Sequence, residues 1–195
     1  MKKVCLILLV GLLISSCAKD DLDRTIFIPD DDDANLPAYT EQGYNTFGAE
    51  FDRDYFLVSN KIAPCKIVYK DNQLQFALSG NIRSGNKEMT LMFIFPYVLK
   101  DNDYTDLLQL RETKINLADN DCIVKILQED KETILDVLEG QLYFKRTQLL
   151  SVDDQVNRII LSGVFEVRFL QNDFPVNISD GRFDLGITKN VFYSH

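Results

Sequence analysis

The stretch that decides the fold reads RIILSGVFEVRFL and occupies residues 158–170. Five of its apolar residues fall on one side of an extended chain: Ile159, Leu161, Phe165, Val167 and Phe169. The other side carries Ser162, Glu166 and Arg168. A period of two residues with one hydrated face is typical of a strand in an antiparallel sheet that packs on a core. Gly163 in the middle of this pattern predicts a bulge or a bend.

Two hairpins are predicted nearer the N-terminus. The first joins strands at 47–51 and 55–58, and the second joins strands at 65–70 and 74–78. The second turn is Asp71-Asn72, and both residue types tolerate the left-handed conformation that a two-residue hairpin needs. These hairpins indicate that sequence neighbours pair with each other.

The remaining segments are also mostly strand-like. Strands are predicted at 89–95, 113–117, 122–128, 141–147 and 183–187, with a turn at 179–181 before the last one. A helix is predicted at 101–110, and 131–138 fits either a helix or a strand. We therefore predict an all-β fold over residues 37–195, an antiparallel β-sandwich or a partly open barrel with one or two short helices.

The N-terminus carries the features of an export signal. Lys2 and Lys3 precede an apolar run at 4–14, interrupted only by Gly11. About 11 residues of helix span roughly 16 Å, which is too short for a hydrocarbon core of about 30 Å. The run is therefore predicted to be a signal-peptide core rather than a membrane span or a buried helix.

The residues that follow this run predict the type of signal. Ile14, Ser15, Ser16 and Cys17 resemble the lipobox of bacterial lipoproteins, in which cleavage precedes a lipidated cysteine. The resemblance implies a signal peptide at 1–16 and a lipid anchor on Cys17. An ordinary secretory signal that happens to contain a cysteine is the alternative.

Charge excludes one class of partner. The chain has a formal net charge of −9, and the mature form would reach −11 because Lys2 and Lys3 are removed. An acidic surface repels phosphate backbones, so nucleic acid is not expected as a partner.

Residues 17–36 are rich in aspartate and are predicted to form an extended tether, which includes the run Asp30–Asp33. Adjacent side chains of an extended chain point to opposite sides, so this run is not expected to enclose a calcium ion.

Cysteine use leaves one pair to consider. Once Cys5 is removed and Cys17 is lipidated, Cys65 and Cys122 remain in the folded part. They could form a disulfide in an exported protein. The alternative, which we favour, is two separate thiols that act as small apolar side chains.

Catalytic patterns are scarce. The single histidine, His195, is the last residue, where we expect a frayed chain that cannot hold a general base in place. No phosphate-binding glycine loop occurs, and no cofactor or metal is predicted. Two acidic clusters, one at Asp101, Asp103 and Asp106 and the other at Asp119 and Asp121, lack the order of an EF-hand loop. Exposed aromatic residues are the candidates for sugar contacts: Tyr39, Tyr44, Tyr55, Tyr97, Tyr104 and Tyr193.

A family resemblance is carried by the two ends of the folded part. Residues 36–51 read LPAYTEQGYNTFGAEF, with Asn45, Thr46, Phe47 and Gly48 as the characteristic stretch. The second motif consists of Asp180, Gly181, Arg182, Phe183 and Asp184. Together they resemble an uncharacterised family of Bacteroidetes lipoproteins, a domain of unknown function. The chain departs from the family pattern at Ala49, where a cysteine is common, and at Asp52-Arg53, where Asn-Gly is common.

The resemblance implies an exported lipoprotein with a β-rich domain. Lys19, Asp20 and Asp21, just after the lipidated cysteine, resemble a surface-export signal of Bacteroidetes lipoproteins. We therefore expect an outer-membrane, surface-exposed lipoprotein that is not an enzyme and that acts as a binding or accessory module. Its expected partners are the membrane, through the lipid anchor, and an outer-membrane protein or a glycan. The alternative is a carboxylate-based hydrolase or a calcium-dependent glycan binder.

Overall fold

The structure is a computed structural model that describes residues 24–59, 63–101, 103–152 and 155–195. The strands are β1 (Thr46–Phe51), β2 (Asp54–Val58), β3 (Cys65–Lys70), β4 (Gln73–Ile82), β5 (Lys87–Pro96), β6 (Thr113–Asn116), β7 (Ile123–Gln128), β8 (Lys131–Ile134), β9 (Asp136–Val152), β10 (Gln155–Gln171), β11 (Phe174–Ile187) and β12 (Phe192–Ser194). A 3₁₀-helix spans Tyr104–Leu110, and a single 3₁₀ turn spans Lys189–Val191. No helix among these residues is long and apolar enough to cross a bilayer.

The strands form one curled sheet in the order β6-β9-β10-β11-β1-β2-β4-β5-β7-β8. β3 also pairs with β4, and β12 pairs with β3. Every pairing is antiparallel except that between β12 and β3. The prediction of an all-β antiparallel fold is confirmed, and its form is a half-barrel.

Phenylalanine contacts show how strongly the sheet curls. Phe76 on β4 lies 5.5 Å from Phe144 on β9 and 5.1 Å from Phe183 on β11, measured between ring centroids. In a flat sheet, the five strand spacings between β4 and β9 would separate them by about 24 Å. The sheet therefore folds over a single core, which its inward-facing aromatic side chains fill.

Strand β10 has the pattern that the sequence predicts. Ile159, Leu161 and Phe169 are fully buried against the core. The pairing with β9 shifts register between Ser162 and Gly163, which confirms the bulge. A Cβ atom on Gly163 would overlap the carbonyl of Tyr143 and come within 2.6 Å of the Phe183 ring.

The outer face of β10 is covered near its start. Ile160 and Ser162 point away from the core but are buried, because the chain between Ile26 and Asn45 lies over them. Backbone hydrogen bonds hold this covering segment: Ile26 N donates to Tyr44 O, and Ala38 N donates to Ile28 O. The sequence predicts a tether up to residue 36, whereas the described part of it contacts the domain well before Pro37.

Three local predictions differ from the structure. The helix begins at Tyr104 rather than at residue 101, because Asp103 caps it and accepts from the Tyr104 N–H. The predicted turn at 179–181 is an irregularity inside β11, with Asp180 at a φ of 50°. The ambiguous stretch 131–138 forms β8 and the start of β9.

Candidate functional site

A polar groove crosses the outer face of β9, β10 and β11, beyond the point where the covering segment ends. It consists of two adjoining cavities of about 340 and 500 Å³, which share Gln141 and Glu166 as lining residues. We call it the outer groove. Since alternate residues of a strand point to opposite faces, the polar side chains of the groove come from the positions that the core does not use.

All three strands contribute polar side chains to the groove. β9 supplies Gln141, Tyr143 and Lys145. β10 supplies Glu166 and Arg168, and β11 supplies Asn177, Ser179 and Arg182. The groove therefore presents amides, carboxylates, cations and an aromatic ring together, a combination that can hydrogen-bond a polar ligand along its length.

Glycines and irregular pairing shape the groove floor. Between β10 and β11 the register shifts between Phe165 and Val167, opposite the irregularity at Asp180. A Cβ on Gly181 would lie 2.6 Å from the Phe165 ring, and one on Gly140 would lie 2.8 Å from the Glu166 carbonyl. Bulges increase the local twist and re-aim side chains, which opens the outer face at this point.

Tyr39 forms one wall of the groove. The ammonium of Lys145 lies 4.4 Å from its ring centroid, and its hydroxyl donates to Glu41 at 2.9 Å. Glu41 is in turn paired with Arg146 at 3.1 Å. Burial, followed by the hydrogen bond to Glu41, raises the pKa of Tyr39 far above its usual value, so the hydroxyl stays neutral at physiological pH.

Arg182 is fixed at the boundary between the groove and the covering segment. Its guanidinium pairs with Asp30 at 2.7 Å and donates to the Asp180 carbonyl at 3.1 Å. Asp30 also accepts from the backbone N–H groups of Asp32 and Asp33, and these bonds together with Arg182 hold the pKa of Asp30 below its usual value. Part of the acidic run thus positions a groove cation.

Asp184 holds the covering segment in place. It is 1% exposed and accepts from the Thr40 hydroxyl at 2.5 Å, Gly43 N at 2.7 Å and the Ser162 hydroxyl at 2.9 Å. The backbone N–H groups of Gln42 and Tyr44 also donate to it, at 3.0 and 3.3 Å. A carboxylate with this many donors is well satisfied although it is buried.

The two motifs of the family resemblance are adjacent in space. β1 pairs with β11 so that Thr46 lies opposite Asp184, Phe47 opposite Phe183 and Gly48 opposite Arg182. In addition, Asn45 accepts from the Gly186 N–H at 2.9 Å. The motifs therefore form one structural unit that supports the covering segment and a wall of the groove.

The residues predicted to direct lipidation and export come before the described part of the chain. Cys17, Lys19, Asp20 and Asp21 lie outside the described residues. Their predicted roles in lipidation and export stay predictions from sequence.

Cys65 and Cys122 are free thiols. Cys65 opens β3 and Cys122 precedes β7, with β4 and β5 between them. Three strand spacings amount to about 14 Å, whereas the Cα atoms of a disulfide lie within about 7 Å. Burial raises the pKa of Cys65 to about 12, and burial followed by Asp119 raises the pKa of Cys122.

The acidic clusters have structural partners. Asp106 accepts from the N–H groups of Lys100 and Asp101, and Asp103 caps the helix. Asp119 accepts from the Asn116 amide at 2.6 Å. Within the described ranges, no group of three or more His, Cys, Asp or Glu side chains is arranged to hold a metal ion.

Of the tyrosines proposed for sugar contacts, Tyr39 lies at the groove. Others are hydrogen-bonded elsewhere: Tyr55 to Asp33, Tyr97 to the Asp106 carbonyl and Tyr193 to the Asn190 carbonyl. Sequence reasoning missed Tyr143, although its alternation with Leu142 and Phe144 marks it as outward-facing. The expectation of a frayed chain at His195 also needs correction. The backbone N–H of His195 donates to Tyr69 O at 3.1 Å, which holds the backbone in place.

Comparisons with known proteins identify no relatives. No family model matches the chain, and no curated protein or solved structure is similar enough to count as a match.

Proposed function

We propose that this chain is a surface-exposed, lipid-anchored outer-membrane protein of the Bacteroidetes lipoprotein family described above, and that it acts as a non-catalytic binding module. The observation that carries the proposal is the outer groove, a polar channel of outward-facing strand residues with an immobilised wall. The proposed localisation rests on Cys17 and on Lys19, Asp20 and Asp21 in the sequence.

The groove chemistry favours a glycan as the ligand. Gln141 and Asn177 offer both donors and acceptors, which is the requirement for binding neighbouring hydroxyl groups. Tyr143 and Tyr39 add amphipathic rings at one end of the groove. The mixture of Glu166 with Arg168 and Lys145 gives no single sign of charge that would select a strongly anionic or cationic polymer.

Rigid support of the groove also favours binding. Tyr39 belongs to the covering segment that Asp184 ties down, and Arg182 is held by Asp30. Side chains fixed before a ligand arrives lose less conformational entropy on binding. The groove therefore resembles a preorganised binding surface more than an adaptable loop region.

The test is direct binding of oligosaccharides and envelope polysaccharides to the mature chain, measured by calorimetry. Substituting Gln141→Ala and Tyr143→Ala together should weaken binding at least tenfold. Tyr193→Ala is the matched control, since it removes an exposed tyrosine from β12, away from the groove. Binding that survives the double substitution, or that Tyr193→Ala lowers equally, would refute the assignment of the groove.

A carboxylate hydrolase is the second candidate, and one placement favours it. Gln141 lies opposite Glu166 and Glu139 lies opposite Arg168, so Glu139 and Glu166 occupy diagonal positions of the same face. The backbones at such positions are about 7–8 Å apart. Two glutamate side chains that start from this spacing are able to bring their carboxyl groups to the separation of about 5–10 Å that glycosidase pairs use. Release of reducing sugar that Glu166→Gln abolishes while binding persists would favour the hydrolase over the binding module.

A further inference from the structure

Three consecutive apolar residues lie on the surface of the covering segment. Ile26, Phe27 and Ile28 are each 42% exposed. We call them the apolar triplet. Single exposed apolar residues are ordinary on a protein surface, but three in succession point to a contact with something apolar.

The backbone of the triplet is held in position. Ile26 N donates to Tyr44 O at 2.9 Å, and Ile28 O accepts from Ala38 N at 2.7 Å. Pro29 forms a bridge with Pro37 immediately afterwards. The exposure of these side chains is therefore built into the fold rather than the result of a loose chain end.

The triplet lies close in sequence to the proposed lipid anchor. Ile26 lies nine positions after Cys17 in the sequence. Even a fully extended chain of this length reaches only about 32 Å. The triplet is thus confined to the neighbourhood of the bilayer surface to which Cys17 would be attached.

One exposed aromatic side chain, Phe174, lies far from this attachment. Arg24 and Thr25 line a cavity with Gly186 at one end of β11, whereas Phe174 starts that strand. The twelve residue steps from Phe174 to Gly186 extend about 40 Å along the strand. Phe174, 73% exposed, therefore offers a matched apolar position at the opposite end of the protein.

We propose that the apolar triplet inserts into the interfacial region of the bilayer that carries the anchor, so that the domain rests on the membrane in one orientation. The proposal rests on the lipid anchor of the proposed function. Acyl chains alone retain the protein at the membrane but leave it free to rotate, whereas a second contact fixes a face. Because Asp30–Asp33 follow the triplet after a single residue, Pro29, the favoured surface is zwitterionic rather than anionic.

The sequence allows a sharp test because it contains no tryptophan. Phe27→Trp and Phe174→Trp each introduce a single fluorophore at an exposed aromatic position. The mature chain is attached to vesicles of phosphatidylcholine and phosphatidylethanolamine by coupling the Cys17 thiol to a maleimide lipid, with Cys122→Ser to prevent side reaction. Since the anchor is added chemically, failure of lipidation in cells or of glycan binding would not affect the outcome.

Tryptophan emission from the Phe27→Trp variant should shift to shorter wavelength on the vesicles. Brominated lipid should quench this emission at least twofold more than emission from the Phe174→Trp variant, and equal quenching of the two variants would overturn the proposal. As an independent measurement, the unattached chain with Ile26→Ser, Phe27→Ser and Ile28→Ser together should bind the vesicles at least tenfold more weakly than the unsubstituted chain. Val98→Ser with Phe174→Ser should leave that binding unchanged, and an equal loss in this control would also refute the proposal.

Discussion

Thr40 and Asp184 are 144 positions apart in sequence, yet the Thr40 hydroxyl donates to the Asp184 carboxylate at 2.5 Å. This bond joins the segment before β1 to the last long strand of the sheet. With the N–H donors of the neighbouring residues, it fixes the cover over the outer face of β10 and, through it, the Tyr39 wall of the outer groove.

Replacing Asp184 should be strongly destabilising. In Asp184→Ala, the Thr40 and Ser162 hydroxyls and three backbone N–H groups lose their acceptor in a buried site, so the free energy of unfolding should fall by roughly 3 kcal/mol or more. Urea unfolding at pH 7 measures the change. Asp136→Ala, which removes an exposed carboxylate from β9, should change stability by less than about 0.5 kcal/mol. Equal effects of the two substitutions would show that the hydrogen bonds to Asp184 add no more stability than an exposed carboxylate does.

Gly163→Ala should also destabilise the fold, by about 1–3 kcal/mol, because the added methyl overlaps the Tyr143 carbonyl and the Phe183 ring. The measurement is again urea unfolding, with the exposed Thr133→Ala on β8 as control. A neutral result would mean that the β9–β10 bulge can relax without cost.

Acid should weaken the contact between the acidic run and the sheet. The pKa of Asp30 lies below its usual 3.8, chiefly because of the Asp32 N–H, and the pKa of Asp33 is lowered chiefly by the Asn35 N–H. A carboxyl whose pKa is depressed on folding stabilises the protein above its unfolded pKa, and that contribution disappears as pH falls through the folded value.

The natural chain should therefore have a higher free energy of unfolding than the double variant Asp30→Asn/Asp33→Asn. This difference should be largest at pH 6 and should shrink below about pH 4. Urea unfolding between pH 3 and 6 measures it. Asp31→Asn is the control within the same run. A difference that stays constant over this range would contradict the assignment of these carboxylates.

The two thiols should differ in accessibility and stay unpaired. Cys65 is buried with a pKa of about 12, so it should react with a thiol reagent at pH 8 only after unfolding. Cys122 is partly exposed and should react slowly in the folded protein. Peptide mapping after timed labelling checks both rates. A Cys65–Cys122 disulfide in protein prepared without reductant would contradict the separation of β3 and β7.

Features specified by adjacent residues were predictable from the sequence. The β3–β4 hairpin follows from Asp71 and Asn72, which adopt the expected positive φ values of 52° and 60°. The inward face and the bulge of β10 follow from alternation and from Gly163.

Features that depend on distant partners were not predictable. Asp30 looks like part of a solvated acidic run until Arg182, 152 positions later, is placed beside it. Likewise, Asp180 and Gly181 are residue types that are common in turns. They stay within a strand because β11 pairs with β1 on one side and with β10 on the other. Tyr143 belongs to a groove that exists only once β9 and β10 are paired.

The division of β9 and β10 into an inner and an outer face has an evolutionary consequence. Phe144 and Phe165 are committed to the aromatic core, while their neighbours Tyr143 and Glu166 face the groove. Selection could exchange the groove residues one at a time at little cost to folding. A lineage built on this half-barrel could therefore change ligands rapidly while the scaffold stays the same, and its members would diverge most at the positions that distinguish their functions.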